Sequence, residues 1–254
     1  MNNLIISNIS KSFNKLQVLT NISINLEANK VYAIIGPNGS GKTTLLNCIT
    51  GIYKPDSGSI LYNGIQLTRL DINQISNLGI KRTYQNIKLN SDMTVAENIF
   101  IGNYFNTHQN IFDIIFKTKR YHQNEQKTWN KVYTLAEEFN LINILHKPVN
   151  RLSYVNKKKI EILRALISSP KLLILDEPAA GLNEAEKLEL TSIISKIKNK
   201  SLTIILIEHD LQLIKTLANK ILVLHHGNKI AYGDFNNIIS NKEVIDAYIG
   251  ETNA

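Results

Sequence analysis

One cysteine in 254 residues, Cys48, is too few for any internal disulfide and fits a reducing compartment. It falls in a stretch with helical spacing, where a small buried thiol is the plainest role. No apolar run approaches the roughly 18 to 20 residues needed to cross a bilayer. Met1-Asn2-Asn3-Leu4-Ile5-Ile6-Ser7 lacks the basic region and long apolar core of a secretory leader. The expectation is a chain that stays in the cytoplasm. Repeats, low-complexity tracts and long flexible linkers are missing too, so fibrous and disordered classes fall away. What remains is an ordinary hydrophobic share of 43% and enough chain for one large domain, or a domain with a sub-domain. A formal charge of +8 with a pI near 9.4 allows nucleic acid or an anionic membrane as partner. The lysines are scattered among asparagines and isoleucines, so charge alone points to neither.

The most informative stretch is Gly36-Pro37-Asn38-Gly39-Ser40-Gly41-Lys42-Thr43-Thr44. It follows the apolar run Val31-Tyr32-Ala33-Ile34-Ile35 and precedes a segment whose Leu45, Leu46 and Ile49 share one helical face before Gly51. Strand, glycine loop and helix in that order make a phosphate cradle. Glycines let backbone N–H groups close round an anion, and the helix N-terminus adds its positive end. Lys42 can reach the outer phosphates and the Thr43 hydroxyl can ligate Mg²⁺. A chance glycine-rich turn would not carry the full spacing in this context.

Around that stretch the N-terminal third reads as β-rich. Ile22, Ile24 and Leu26 alternate with polar residues, and Gly58 to Gly64 reads as a strand ending in an Asn63-Gly64 turn. Phe13, taken alone, reads as core, although a flat ring there can stack on a base. Gln85 stands where an apparent strand gives way to a polar loop, and its amide oxygen can ligate Mg²⁺ or orient water. Thr94-Val95-Ala96-Glu97 matches a capping box. From there to about residue 168 the pattern is helical. Trp129, Val132, Tyr133, Ala136 and Phe139 form one stripe, read as a buried aromatic face. Ile111 to Phe116, beside the basic Lys117-Thr118-Lys119-Arg120, is read as internal packing in preference to a membrane or partner contact. Ser153 opens a helix carrying Ile160, Leu163 and Ile167, and is either a plain cap or an anion contact.

Two further apolar runs read as buried parallel strands. Leu172 to Leu175 delivers Asp176-Glu177, adjacent carboxylates that are costly at a strand end unless metal, water or donors meet them. Asp176 is suited to Mg²⁺, directly or through its water shell, and Glu177 to polarising the water that attacks a γ-phosphate. Leu202 to Ile207 delivers Glu208-His209-Asp210, which puts His209 at the same sheet edge, within reach of a γ-phosphate. His225-His226-Gly227-Asn228 reads as a hairpin turn, not a metal site.

In this order the motifs resemble the nucleotide-binding subunits of ATP-binding cassette transporters, over essentially the whole chain. Within that family the resemblance is to ATPases of branched-chain amino acid importers. It is carried by Arg82-Thr83-Tyr84-Gln85-Asn86, Met93 to Asn98, Asp176-Glu177-Pro178-Ala179-Ala180-Gly181-Leu182-Asn183, Ile207 to Asp210 and Val244 to Gly250. The resemblance implies an α/β fold, a P-loop NTPase of the ABC cassette type. Its mixed-sheet core and antiparallel β part would span residues 1–90 and 169–254, with a helical sub-domain at about 91–168. It also implies ATP and Mg²⁺ as cofactors and a head-to-tail dimer with each ATP between two chains. Adenine stacking passes to Phe13, phosphate contact to Lys42 and the loop 36–44, and Mg²⁺ ligation to Thr43, Gln85 and Asp176. Water activation passes to Glu177, γ-phosphate sensing to His209, and contact with the partner's ATP to Ser153. Two membrane permeases and, indirectly, a binding protein are implied, with the chain peripheral on the cytoplasmic face of the inner membrane and no nucleic acid partner.

One departure matters. The family carries glycine where Val155 stands and glutamine where Asn156 stands, and a branched side chain there is expected to weaken contact with the partner's nucleotide. A heterodimer with a second ATPase subunit is therefore favoured over a homodimer. The rival readings are a nucleic-acid or ribosome-associated ABC ATPase, a P-loop kinase and a weakly hydrolytic scaffold. Translation-factor-like proteins join two cassettes, whereas this chain has one glycine loop; a kinase leaves Ser153, Gln85 and His209 unexplained.

Overall fold

The computed structural model describes residues 3–103, 113, 115–198 and 200–249. The chain begins with β1 (Leu4–Phe13) and β2 (Leu16–Leu26), antiparallel partners turned through Asn14 at a φ of 54°. The buried β3 (Val31–Ile35) leads through the glycine loop into α1 (Lys42–Ile49). Then β4 (Ser57–Tyr62) pairs with β1 and turns at Asn63-Gly64 into β5 (Ile65–Gln66), as the Asn-Gly signal predicts. A short α2 (Ile72–Asn77), opened by an Asp71–Gln74 capping box, precedes β6 (Ile80–Arg82).

Residues 83–170 form a compact unit of their own. In it α3 (Val95–Phe100) starts at the predicted Thr94–Glu97 capping box, with both reciprocal bonds made. Next come α4 (Lys119–Glu138) and α5 (Tyr154–Leu166). The stripe on α4 buries Val132, Ala136 and the following Phe139, and Trp129 meets the Phe100 ring at 4.6 Å. Tyr133, however, is 43% exposed, so the aromatic face is narrower than its spacing suggests. Ile160, Leu163 and Ile167 are buried together as predicted. Of Ile111 to Phe116, residues 111, 112 and 114 lie outside the described residues. Ile115 and Phe116 are exposed, against the expectation of internal packing.

The chain then completes the other unit, which joins residues 1–82 to 171–254. Its elements are β7 (Leu172–Asp176), α6 (Glu184–Lys198), β8 (Thr203–Ile207) and α7 (Leu211–Leu217). The hairpin β9 (Lys220–His225) and β10 (Asn228–Gly233) follows, with α8 (Phe235–Ile239) and α9 (Lys242–Ile249) last. Two sheets result. One is antiparallel, in the order β2-β1-β4-β5; the other is mixed, in the order β10-β9-β3-β8-β7-β6, with only β10 antiparallel to its neighbour. Residues of β3, β7 and β8 are buried on both faces, which is why each reads as an unbroken apolar run. One core packs α1 and the antiparallel sheet against one face of the mixed sheet, through side chains such as Ile6, Ile22, Leu45 and Ile205. On its other face Ala33, Ile35 and Val223 meet Ile214, Ile238 and Val244.

Candidate functional site

Because β3, β8 and β7 are parallel neighbours, whatever follows each one emerges at the same edge of the sheet. After β3 the glycine loop turns back on itself under tight sterics. A Cβ on Gly36, at a φ of 148°, would lie 2.0 Å from the Leu224 carbonyl oxygen, because β9 runs alongside. Gly39, at a φ of 77°, faces open space, so a group as large as phosphate can approach its backbone. Gly41 occupies the N-cap of α1 without any side-chain cap, which leaves the helix's positive end available to an anion. Lys42 is 6% exposed and folds back, its Nζ donating to the Gly36 and Pro37 carbonyls at 2.7 and 2.8 Å. Pro37 is buried, Asn38 and Thr43 are exposed, and Thr44 is half-buried. The Ser40 hydroxyl is buried with no hydrogen-bond partner among the described residues, an orphan of the kind a bound anion satisfies.

The loop is buttressed by a segment that sequence reasoning identified only as a turn. His226-Gly227 is indeed the β9–β10 hairpin turn, at φ of 45° and 75°. It also clasps the loop: the Gly227 N–H donates to Ser40 O at 3.2 Å, and Gly227 O accepts from the Thr20 N–H at 2.8 Å.

After β7, Asp176 is buried and paired with Arg82 of β6, whose Nη2 donates to Oδ2 at 2.7 Å. Nη1 of the same guanidinium donates to Asn47 Oδ1 at 2.7 Å, which ties the carboxylate to α1. Reading the sequence supplied metal and water as the partners of Asp176 and missed Arg82. The arginine sat in a quoted motif, but its pairing depends on β6 lying beside β7, which local pattern does not encode.

Glu177 has a φ of 47°, a left-handed conformation that costs a non-glycine residue roughly 1–3 kcal/mol. Its N–H still donates to Ile207 O at 3.0 Å, extending the ladder one residue beyond the strand. The turn carries its carboxylate to His209, whose Nε2 lies 3.2 Å from Glu177 Oε1. Glu208, between β8 and His209, is 4% exposed. Burial raises its pKa, partly offset by hydrogen bonds from the Ala179, His209 and Asp210 backbones. Asp210 caps α7 and is held below the usual carboxylate range, first by the Leu213 N–H and then by Lys187. Lys187 of α6 pairs with Asp210 at 2.9 Å and Glu184 at 2.8 Å. The glycine loop, Asp176, Glu177 and His209 are thus brought to one edge, as predicted.

Phe13 ends β1 and is 37% exposed, so it is not core. Its ring meets Tyr53 edge-on at 5.0 Å, and the neighbouring Lys11 and Ser12 are fastened to Asp56. Gln85 and Ser153 belong to the 83–170 unit. The Gln85 side chain is exposed, while its carbonyl accepts from Lys158 Nζ at 2.9 Å. Ser153 is exposed at the N-cap of α5 but makes no capping bond, so the plain-cap alternative is not used. Val155 is 6% exposed in the first turn of that helix, and Asn156 Oδ1 accepts from Lys159 Nζ at 3.3 Å.

A glycine loop built to cradle phosphate, with two carboxylates two strands away across β8, is the arrangement of the working edge of a P-loop nucleoside triphosphatase. The sequence profile of the family described as ABC transporter matches residues 19–180. LivG of Salmonella typhimurium, a high-affinity branched-chain amino acid transport ATP-binding protein, is 34% identical over 249 residues, covering 98% of both chains. BraF of Pseudomonas aeruginosa, described in the same terms, is 34% identical over 247 residues and 97% of both. Among solved structures, a nucleotide-free ATP-binding cassette from an ABC transporter matches with a TM-score of 0.84 and 31% identity. It covers 98% of this chain and 100% of that one. The ADP conformation of MJ1267, another such cassette, gives a TM-score of 0.84 and 31% identity, with coverage of 98% and 99%. The chain belongs to the ABC transporter family, and within it to the ATP-binding cassettes that bind and hydrolyse ATP.

Proposed function

We propose that the chain is the ATP-hydrolysing subunit of an importer for branched-chain amino acids, peripheral on the cytoplasmic face of the inner membrane. The observation that carries the catalytic part is the convergence of the glycine loop, Asp176, Glu177 and His209 on one sheet edge. The substrate part is supported by likeness to LivG and BraF over nearly the whole chain. In this reading Lys42 exchanges its two carbonyl partners for the outer phosphates, while the loop N–H groups, the Ser40 hydroxyl and the start of α1 take the remaining oxygens. The Thr43 hydroxyl and the Asp176 carboxylate are hard oxygen donors that suit Mg²⁺, and the Gln85 amide oxygen is assigned to the same ion. When bound, that ion neutralises phosphate charge. Glu177 aligns the attacking water, and His209, already beside it, reports the γ-phosphate. Phe13 stacks on adenine, and Ser153 touches the ATP held by a second ATPase subunit. A heterodimer fits best, because Val155 and Asn156 weaken the contact this chain makes with its partner's nucleotide. Two permeases receive the motion through the Gln85 loop, a binding protein delivers the cargo, and nucleic acid plays no part.

The test is transport in vesicles that contain this chain together with the two permeases, the binding protein and the second ATPase subunit of a branched-chain amino acid importer. ATP-dependent uptake of leucine, isoleucine or valine is expected, and Glu177→Gln in this chain is expected to remove most of it. Uptake that continues unchanged without this chain, or transport of none of the three, would contradict the reading.

A further inference from the structure

Glu208 is a buried acid that hydrolysis, as described, does not use. At 4% exposure an ionised carboxylate is costly unless donors surround it. Backbone donors meet both oxygens: the Ala179 N–H reaches Oε1 at 2.7 Å and the His209 N–H reaches Oε2 at 3.1 Å, with the Asp210 backbone adding a third bond on the His209 side. These donors sit on different loops. Ala179 is two residues past Glu177 on the chain leaving β7, and His209 carries the ring that meets Glu177. The loop backbones are already joined by the Glu177 N–H to Ile207 O bond. One backbone tie leaves a hinge, whereas a further one through Glu208 fixes rotation as well as distance. It also helps impose the left-handed turn at Glu177, which a non-glycine residue does not adopt unaided.

We propose that Glu208 is a positioning residue for hydrolysis: its carboxylate clamps the Ala179 and His209 amides so that Glu177 and His209 stay paired. The proposal rests on the reading of Glu177 as the residue that aligns water. A carboxylate suits the task because both its oxygens accept, whereas an amide offers one acceptor and turns an NH₂ toward the other N–H.

The test is steady-state ATPase of the full-length chain carrying Glu208→Gln, Glu177→Gln or both, with MgATP binding measured alongside. Glu208→Gln is expected to lower kcat roughly 10- to 100-fold, as small misplacements of catalytic groups do, while KM moves less than about threefold. In the Glu177→Gln background the same change should lower the residual rate by less than about threefold, because the group being positioned is gone. Parent kcat in Glu208→Gln overturns the proposal, and so does an equal loss in both backgrounds. If Glu208→Gln does not fold, Glu208→Asp takes its place. It keeps both acceptors on a stem too short to span the loops, and the same outcomes decide. Parent turnover by Glu177→Gln alone overturns the underlying reading, and the clamp with it, without any change at position 208.

Discussion

At the residue scale, the interaction with most at stake for folding is the buried pair Arg82–Asp176. Removing one member of such a pair leaves an uncompensated charge and costs about 3–5 kcal/mol. Arg82→Ala is therefore expected to lower Tm by roughly 6–20 °C, and adding Asp176→Asn should recover much of that loss. Calorimetry of the two variants checks it; a fall under about 2 °C in the single variant would mean that the pair contributes little. That pairing was invisible in the sequence, as was the clasp of Gly227 on Ser40, because each joins positions far apart in the chain. Lys42, Glu177 and His209 were legible for the opposite reason. A glycine loop and the residues leaving two apolar runs declare their place at strand ends whatever the order of the strands.

Among elements, α5 and α7 carry separate predictions. Val155 lies buried at the start of α5, so replacing it with glycine removes apolar contact worth about 1.5–3 kcal/mol and adds about 1 kcal/mol of helix penalty. Val155→Gly should therefore lower Tm yet raise homodimer ATPase several-fold over the parent, by restoring close backbone approach to phosphate. Val155→Ala gives up much of the contact without that gain and should leave ATPase near the parent rate. Equal rates in all three would remove the argument for a heterodimer. On α7, the cap Asp210 has its pKa lowered in the folded chain. The unfolded chain then binds more protons in acid, so this contribution is complete above the unfolded value of about 3.9 and is lost as pH falls through the folded one. Urea unfolding between pH 3 and 6 should show that slope diminished in Asp210→Asn. Glu208 slopes the other way, because burial raises its pKa and ionisation costs stability as pH climbs through it. Periodicity found the buried side of α5 and the Thr94–Glu97 motif found the cap of α3, where signals are local. It overreached at Tyr133, since spacing says which residues share a face and not how wide a partner covers it.

At the scale of the whole molecule, a run of parallel strands converts scattered motifs into one edge, and that edge is the proposed place for holding and cutting phosphate. The order β9-β3-β8-β7 was not readable from the chain, yet the shared direction of β7 and β8 followed from their unbroken apolar character. The most direct test of the account is the Lys42→Ala chain, compared with the parent for equilibrium MgATP binding and for phosphate release. Loss of charge-assisted contacts to the outer phosphates should weaken binding about 10- to 150-fold, with phosphate release reduced to background. MgATP bound at the parent affinity and consumed at the parent rate would contradict it.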